Sequence, residues 1–308
     1  MNGVICLSLQ TMQPIEPPRA CVLCLGNFDG VHLAHRALMN TALKLREHRS
    51  PDAACGVFCF DPPSSDYFSK NPPAHLTTLS QKLRRFADEG MELAFVASFE
   101  ALRDLPPERF LTEILRDFCH CVGGVCGFNH HFGKGGKGTP SLIREILNIP
   151  VEVQDPILYE DETVSSSRIR ACLQDGRVEE ATTLLTLPYS VCSTVLHGKA
   201  LGRKWGFPTL NQVFPAGALI PRHGVYVTDC TLPSGKKLRG ITNVGSHPTV
   251  DQAAAVNCET HLLDFDGSLY GEEITVEFLH FVRPEMRFDS QDALKEQIAR
   301  DLQTAKEY

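Results

Sequence analysis

His32 and His35 stand three residues apart, where an apolar run gives way to an amphipathic one. Cys21 to Leu25 reads as a buried strand, Gly26 to Gly30 as a tight turn, and His35 onward as a helix with Leu38, Ala42 and Leu45 on one face. Such a junction gathers unpaired backbone N–H groups and the positive end of a helix dipole, so it suits an anion. Imidazoles at that point can donate to phosphate oxygens. The residues are also compatible with His32 capping the turn and His35 on a solvated face, or with half of a metal site.

Further segments carry the same kind of chemistry. Gly127-Phe128-Asn129-His130-His131-Phe132-Gly133, followed by Lys134 to Gly138, reads as a mobile basic loop after a strand, suited either to phosphate contact or to a solvated connection. It is not a P-loop, because the glycine spacing is one too long and glycine follows Lys134. Ser165, Ser166 and Ser167 stand at a helix start with Arg168 and Arg170 in the first turn. Arginine there opposes the helix dipole unless an anion is present, although a single serine cap is the simpler account. Further on, Thr209 and Asn211 lie two apart in an extended segment and offer neutral oxygens to a hard cation such as Mg²⁺; a hairpin with turn hydrogen bonds is the alternative. Glu259, in a strand-like run, can take a proton from a hydroxyl or simply face solvent.

The elements that must hold these residues fall into two textures. Apolar runs at 21–25, 54–60, 93–98, 121–126 and 150–154 alternate with amphipathic helices, the pattern of a parallel α/β sheet. Thr78 to Gln81 reads as a capping box before a helix carrying Leu79, Leu83 and Phe86, ending near Gly90. Pro107 opens a second helix with Phe110, Leu111, Ile114, Leu115 and Phe118 on its buried side. After Pro188, short β-rich runs at 189–196, 225–231, 237–244, 258–265 and 274–281 indicate an antiparallel sheet or barrel. Leu294, Ile298, Leu302 and Ala305 form the stripe of a last helix. The expected domains are therefore 1–187 and 188–308.

A length of 308 residues fits two domains, and a net charge of −7 disfavours broad nucleic-acid binding. Most of the 12 cysteines sit inside apolar runs, where free thiols act as small hydrophobes; Cys119 and Cys121 around His120 lack a second pair at zinc-ribbon distance. The N-terminal residues lack the basic and long apolar regions of a secretory leader, and no apolar run reaches membrane-spanning length. The expectation is a cytoplasmic protein with no nucleic-acid or membrane partner, and self-association into a homo-oligomer is left open.

Leu25 to His35, Gly127 to Gly133 and Val164 to Arg170 resemble, in order and spacing, the signature segments of the adenylyltransferase module of bacterial bifunctional riboflavin kinase/FAD synthetases. The resemblance implies a Rossmann-like nucleotidyltransferase domain in which His32 and His35 hold ATP phosphates. It also implies that Gly26, Phe28, Asp29 and Gly30 shape the turn, Asn129 contacts the flavin substrate, and Ser166, Ser167 and Arg170 bind nucleotide phosphates. The implied reaction joins FMN to the adenylyl group of ATP, giving FAD and pyrophosphate. Four positions depart from the pattern: Ala34 replaces the glycine between the histidines, Pro63 stands where a histidine is usual, His130-His131 replaces Phe-Arg, and Ser167 replaces threonine.

The segments Gly206 to Asn211, Asn243 to Thr249, Glu259 to Phe265 with Leu269 to Gly271, and Arg283 to Phe288 are similar to successive signatures of riboflavin kinase. That similarity implies a small Greek-key β-barrel with a terminal helix. By position, Gly202 and Arg203 border the nucleotide loop, Thr209 and Asn211 hold Mg-ATP, Glu259 is the general base toward riboflavin, and Arg283 and Glu285 belong to the flavin segment. Leu210 and His247 replace the usual Ala and Arg. The leading expectation is an enzyme that makes FMN in its C-terminal domain and FAD in its N-terminal domain. The alternatives are a kinase with a weak or vestigial adenylyltransferase domain and a non-catalytic flavin-binding regulatory protein.

Overall fold

The computed structural model describes residues 5–8, 19–198, 206–246 and 256–308, the side chains of 5–8 and 246 excepted. Two compact units result, Met1–Ser166 and Ser167–Tyr308. Sequence texture changes at 187/188, whereas packing divides the chain earlier; the helices Ser166–Asp175 (α7) and Val178–Leu185 (α8) fall largely in the second unit, α8 against strands of its sheet.

In the first unit six parallel strands run Ile5–Ser8 (β1), Cys21–Leu25 (β2), Ala54–Phe60 (β3), Leu93–Ala97 (β4), Cys121–Gly127 (β5) and Val151–Gln154 (β6), in the order β1-β4-β3-β2-β5-β6. The expected five strands are present, and β1 is an edge strand that the sequence reading did not include. Side chains alternate across the sheet, so Cys21, Leu23 and Leu25 enter one core and Val22 and Cys24 the other. Burial on both faces explains why these strands are apolar throughout rather than alternating. The helices Leu33–Arg49 (α1) and, after the short Ser65–Phe68 (α2), Leu79–Asp88 (α3) contribute to one core; Phe99–Leu102 (α4), Pro107–Arg109 (α5), continued as a π-helix over Phe110–Phe118, and Pro140–Leu147 (α6) pack on the other. Thr78 does form a capping box with Gln81 at the start of α3. The described cysteines are free thiols, nearly all buried, and burial pushes Cys55 and Cys126 up to about 11.

The strands of the second unit are Tyr189–Thr194 (β9), Leu210–Val213 (β10), Gly224–Thr231 (β11), Lys237–Ser246 (β12), Val256–Leu262 (β13) and Glu273–Arg283 (β14); the intervening labels β7 and β8 belong to the short hairpin Leu158–Tyr159 and Glu162–Thr163. Their order, β10-β13-β12-β11-β14-β9, lays β14 beside the first strand of the β11-β12-β13 meander, which is Greek-key connectivity. The sheet nearly closes. Leu196 N–H donates to the Asn211 carbonyl at 2.7 Å, and Gln212 Nε2 donates to the Ser193 carbonyl at 2.6 Å. Inside, the hydroxyls of Thr228, Thr242 and Thr260 form a buried ladder with 2.8 Å spacings.

The last helix, Gln291–Glu307 (α9), begins at a Ser290 cap. Ala305 of the expected stripe is buried and Leu302 packs beside it, but the most telling contact is polar. Asp301, 2% exposed, takes the Arg283 guanidinium through Nη2 at 2.7 Å and Nε at 3.1 Å, and Gln297 Nε2 donates to it at 2.8 Å. Removing one partner of a buried ion pair costs about 3–5 kcal/mol because the other charge is left uncompensated. Asp301→Ala should therefore shift the urea unfolding of this unit by that order; a loss under about 1 kcal/mol would show that the pair does not fasten the helix.

Candidate functional sites

Strand order places the first site. The chain proceeds from β2 outward through β3 and β4, then returns to the other flank of β2 with β5 and β6. Ligands of open parallel sheets bind beyond the strand C-termini at such a reversal. Leu25 and Cys126 are register partners there, so the loops after β2 and β5 leave the same sheet edge side by side.

The loop after β2 is tightly constrained. Phe28, Gly30 and Val31 have φ of 54°, 85° and 42°, a left-handed conformation that is costly for the two non-glycine residues. The compensation is specific. The Asp29 carboxylate, 5% exposed, accepts from the N–H groups of Leu76 and Thr77 at 3.0 and 3.1 Å and from the Thr77 hydroxyl at 3.3 Å. Gly30 N–H donates back to Thr77 Oγ1 at 2.9 Å, Arg85 donates to the Gly30 carbonyl at 2.6 Å, and Ser166 Oγ donates to the Asp29 carbonyl at 2.9 Å. Phe28 is fully buried, edge-on to Phe86, and a methyl on Gly26 would press against its ring at 3.3 Å.

This turn delivers the two histidines. α1 starts at Leu33, two residues earlier than expected, making His32 its N-cap and placing His35 in its first turn. The cap residue makes no side-chain capping bond and no acidic residue occupies that turn, which leaves the amide end suited to an anion. The His32 and His35 rings stack with centroids 3.7 Å apart, and Phe28 closes over His35 at 5.1 Å. Burial first, then the charges of His32 and Lys82, hold His35 well below the usual histidine value, so the ring is neutral near pH 7. Ala34 sits half-buried in the same turn without interrupting the helix.

On the neighbouring strand end, Asn129 is exposed and its Oδ1 lies 3.4 Å from where a Gly127 Cβ would stand. The segment beyond it, read from sequence as a mobile basic loop, is pinned: Phe132 and Gly138 exchange backbone bonds at 3.2 and 2.8 Å, and Lys134 pairs with Asp104 at 3.5 Å. Burial, then His131, pulls His130 down to about 4. Ser167 and Arg170 lie in the first turn of α7, in the second unit. Arg168, whose position at a helix start suggested an anion, is met by Glu180 at 2.9 Å within that unit.

The second site is set by strand register. Glu259 on β13 is directly opposite Asn211 on β10 and Asn243 on β12, which puts the three side chains in one row on the face opposite the threonine ladder. Thr209, two residues before Asn211, shares that face. Gly198 lies so close that a Cβ there would stand 2.5 Å from Asn211 Nδ2. Beside Thr209 a cavity of about 330 Å³ is lined by Leu210, Leu262, Phe265, Leu269 and Tyr270, and His197 stacks on Tyr270 at 4.0 Å. Thr209 and Asn211 bring hard oxygen donors with a carboxylate across the register, a set that fits Mg²⁺. No group of three His, Cys, Asp or Glu side chains disposed to hold a metal occurs among the described residues. Gly202, Arg203 and His247 lie outside the described residues.

Arg283 belongs to the same register row, opposite Val225 on β11, which is itself opposite Asn243, and Asp301 takes its guanidinium. Glu285 packs on Gly245, where a Cβ would meet its carboxylate, and its Oε2 lies 3.7 Å from His223. Sequence reasoning passed over Lys82, and it named Gly198 and Asn243 only within longer segments, without a role of their own. A lysine inside the apolar stripe of α3 was the available signal for the first; strand register, invisible in sequence, selects the third.

A model described as FAD synthetase matches residues 15–168, and one described as riboflavin kinase matches residues 185–308. The bifunctional riboflavin kinase/FMN adenylyltransferase of Listeria monocytogenes is 32% identical over 292 residues, 93% of this chain and 92% of that one. The protein of that name from Escherichia coli is 34% identical over 297 residues, 95% and 94% of the two chains. A crystal structure described as a macrolide-efflux protein from Streptococcus pneumoniae matches with a TM-score of 0.89 at 29% identity, covering 99% of this chain and 100% of that one. Among the described residues of the present chain no helix is long and apolar enough to cross a membrane. The two matched models together make this chain a bifunctional transferase of flavin-cofactor synthesis. The chain belongs to the bifunctional riboflavin kinase/FMN adenylyltransferase family.

The depressed histidines make stability depend on pH. A ring whose folded value lies below the unfolded 6.5 binds protons preferentially when unfolded, so its contribution is full above 6.5 and declines as pH falls toward the folded value. His130→Gln should flatten the decline in melting temperature between about pH 6.5 and 4. Parallel curves for variant and wild type would refute the neutral ring.

Proposed function

We propose that the second unit phosphorylates riboflavin to FMN and the first converts FMN to FAD, each with ATP. The observation that carries this reading is that each unit holds, within itself, a constellation suited to phosphate chemistry: Glu259 in register with Asn211 in one, stacked His32 and His35 at an uncapped helix start in the other.

In the barrel, Glu259 accepts the proton of the riboflavin 5′-hydroxyl as its oxygen attacks the γ-phosphorus of ATP; the bond to the β-phosphate oxygen breaks and ADP leaves. Thr209 and Asn211 would hold Mg²⁺, which when bound neutralises charge on the phosphate oxygens. Gly198 lets the chain pass against Asn211 immediately before the segment containing Gly202 and Arg203, the proposed nucleotide loop. Arg283 and Glu285 then serve the flavin side through the segment they anchor, Arg283 chiefly by fixing it to α9.

In the first unit an FMN phosphate oxygen attacks the α-phosphorus of ATP, the bond to the bridging oxygen breaks, and pyrophosphate leaves. Atoms balance without a protein nucleophile, so the site works by position and charge. The first-turn amides of α1 and the imidazoles of His32 and His35 donate hydrogen bonds to phosphate oxygens; Asn129 contacts the flavin substrate. Ser166 supports the turn by holding the Asp29 carbonyl. A second reading, a kinase with a weakened adenylyltransferase, is favoured by His130 and His131, since the first is a half-buried neutral ring and neither supplies a permanent arginine charge.

Purified protein incubated with riboflavin, ATP and Mg²⁺ should yield both FMN and FAD on chromatographic separation. FMN alone selects the second reading, and unchanged riboflavin contradicts both. Glu259→Gln should lower FMN formation about 100-fold or more while FAD formation from supplied FMN stays within about twofold. Equal loss of both reactions would contradict separate sites.

A further inference from the structure

Lys82 places a cation in the apolar interior of the first unit. It lies on α3 between Leu79 and Leu83, with its side chain 1% exposed. Lysine is almost never fully buried unless paired. Its ion-pair partner among the described residues is Asp61, whose Oδ1 stands 3.7 Å away, within electrostatic reach but beyond hydrogen-bond length. Asp61 is itself 38% exposed. An apolar side chain of similar length would fill the place without the desolvation cost of an ammonium.

The surroundings supply a reason. Asp61 follows β3 at the C-terminal edge of the sheet, the edge from which the Gly26–Val31 turn leaves β2. Just before α3, Leu76 and Thr77 hold the Asp29 carboxylate, and three residues beyond Lys82, Arg85 holds the Gly30 carbonyl. Lys82 is thus carried by a helix fastened on both sides of it to the turn that delivers His32 and His35. Its charge reaches His35, where with burial and His32 it disfavours protonation.

We propose that Lys82 is a phosphate-binding residue of the adenylyl-transfer site, its ammonium held by Asp61 until ATP enters and then directed to the oxygens of the departing pyrophosphate. This inference rests on the adenylyltransferase reading of the first unit. As the bond between the α-phosphorus and its bridging oxygen breaks, negative charge grows on that oxygen, and a fixed cation in a water-poor site stabilises it more than it stabilises bound ATP. Lys82 neither gains nor loses a proton. Asp61 balances the charge before ATP arrives and, being partly exposed, is solvated once released.

The test uses the full chain with Lys82→Met and Lys82→Arg, measuring FAD formation from supplied FMN across ATP concentrations, with riboflavin phosphorylation and thermal unfolding as controls. Lys82→Met should lower kcat for FAD formation about 100-fold with a much smaller change in KM for ATP, because the contact strengthens in the transition state. Riboflavin phosphorylation should stay within about twofold, and Lys82→Arg should recover most of the loss. The unfolding midpoint of Lys82→Met should not fall, since an apolar isostere replaces a buried charge. A kcat for Lys82→Met within about threefold of wild type would overturn the proposal, as would equal impairment of the Met and Arg variants. A wild-type chain that forms FMN but no FAD would instead overturn the reading on which the proposal rests.

Discussion

A nearly buried carboxylate with four acceptor positions holds the first site together. Asp29 gathers the Leu76 and Thr77 amides and the Thr77 hydroxyl, and those bonds offset part of the cost of a turn in which Phe28 and Val31 adopt left-handed backbone. Each such residue costs roughly 1–3 kcal/mol, comparable to what a charge-assisted hydrogen bond returns. The strain is located: it lies between a fully buried strand and the first turn of α1, and so bears on where that turn and its two histidines stand. Stacked rings 3.7 Å apart, closed in by Phe28, express that constraint. The neutral state of His35 follows in turn, because a ring so enclosed beside another imidazole and a lysine resists a proton.

In the second unit the equivalent constraint is register rather than strain. Asn211, Glu259 and Asn243 come together because three antiparallel strands align them, and a one-residue slip would send all three to the threonine-lined interior. The buried ladder of Thr228, Thr242 and Thr260 opposes such a slip, since it would leave hydroxyls unpartnered in the core. Gln212, bridging to Ser193 and Ile274, ties the edge strand that carries Asn211 to the far side of the sheet. Asp301 and Arg283 add the last helix by the same logic of a satisfied buried polar group.

Much of this was legible in the residue pattern, and the exceptions share a cause. Apolar runs identified five of the six strands of the first sheet, Thr78 to Gln81 announced its capping box, and the order of motifs identified the family. Local sequence determines these features. What escaped was polar and long-range: Asp29 read as a turn residue, yet its partners are 47 and 48 positions away. Lys82 and Asp301 sat in helical stripes where a charge looks like an error of pattern, and each is instead paired through tertiary contact. Arg168 and Lys134 showed the converse, since charges that suggested a phosphate are met by Glu180 and Asp104. β1 was missed because an edge strand of four residues gives too short a periodic signal.

The central claim is that the Asp29 carboxylate builds the adenylyl-transfer site by holding the turn before His32, independently of the barrel site. Asp29→Ala, assayed in one preparation for FAD formation from FMN and for FMN formation from riboflavin, tests it most directly. The account predicts a fall of about 100-fold or more in FAD formation with FMN formation within about twofold of wild type. Undiminished FAD formation, or equal loss of both activities in a folded variant, would contradict it.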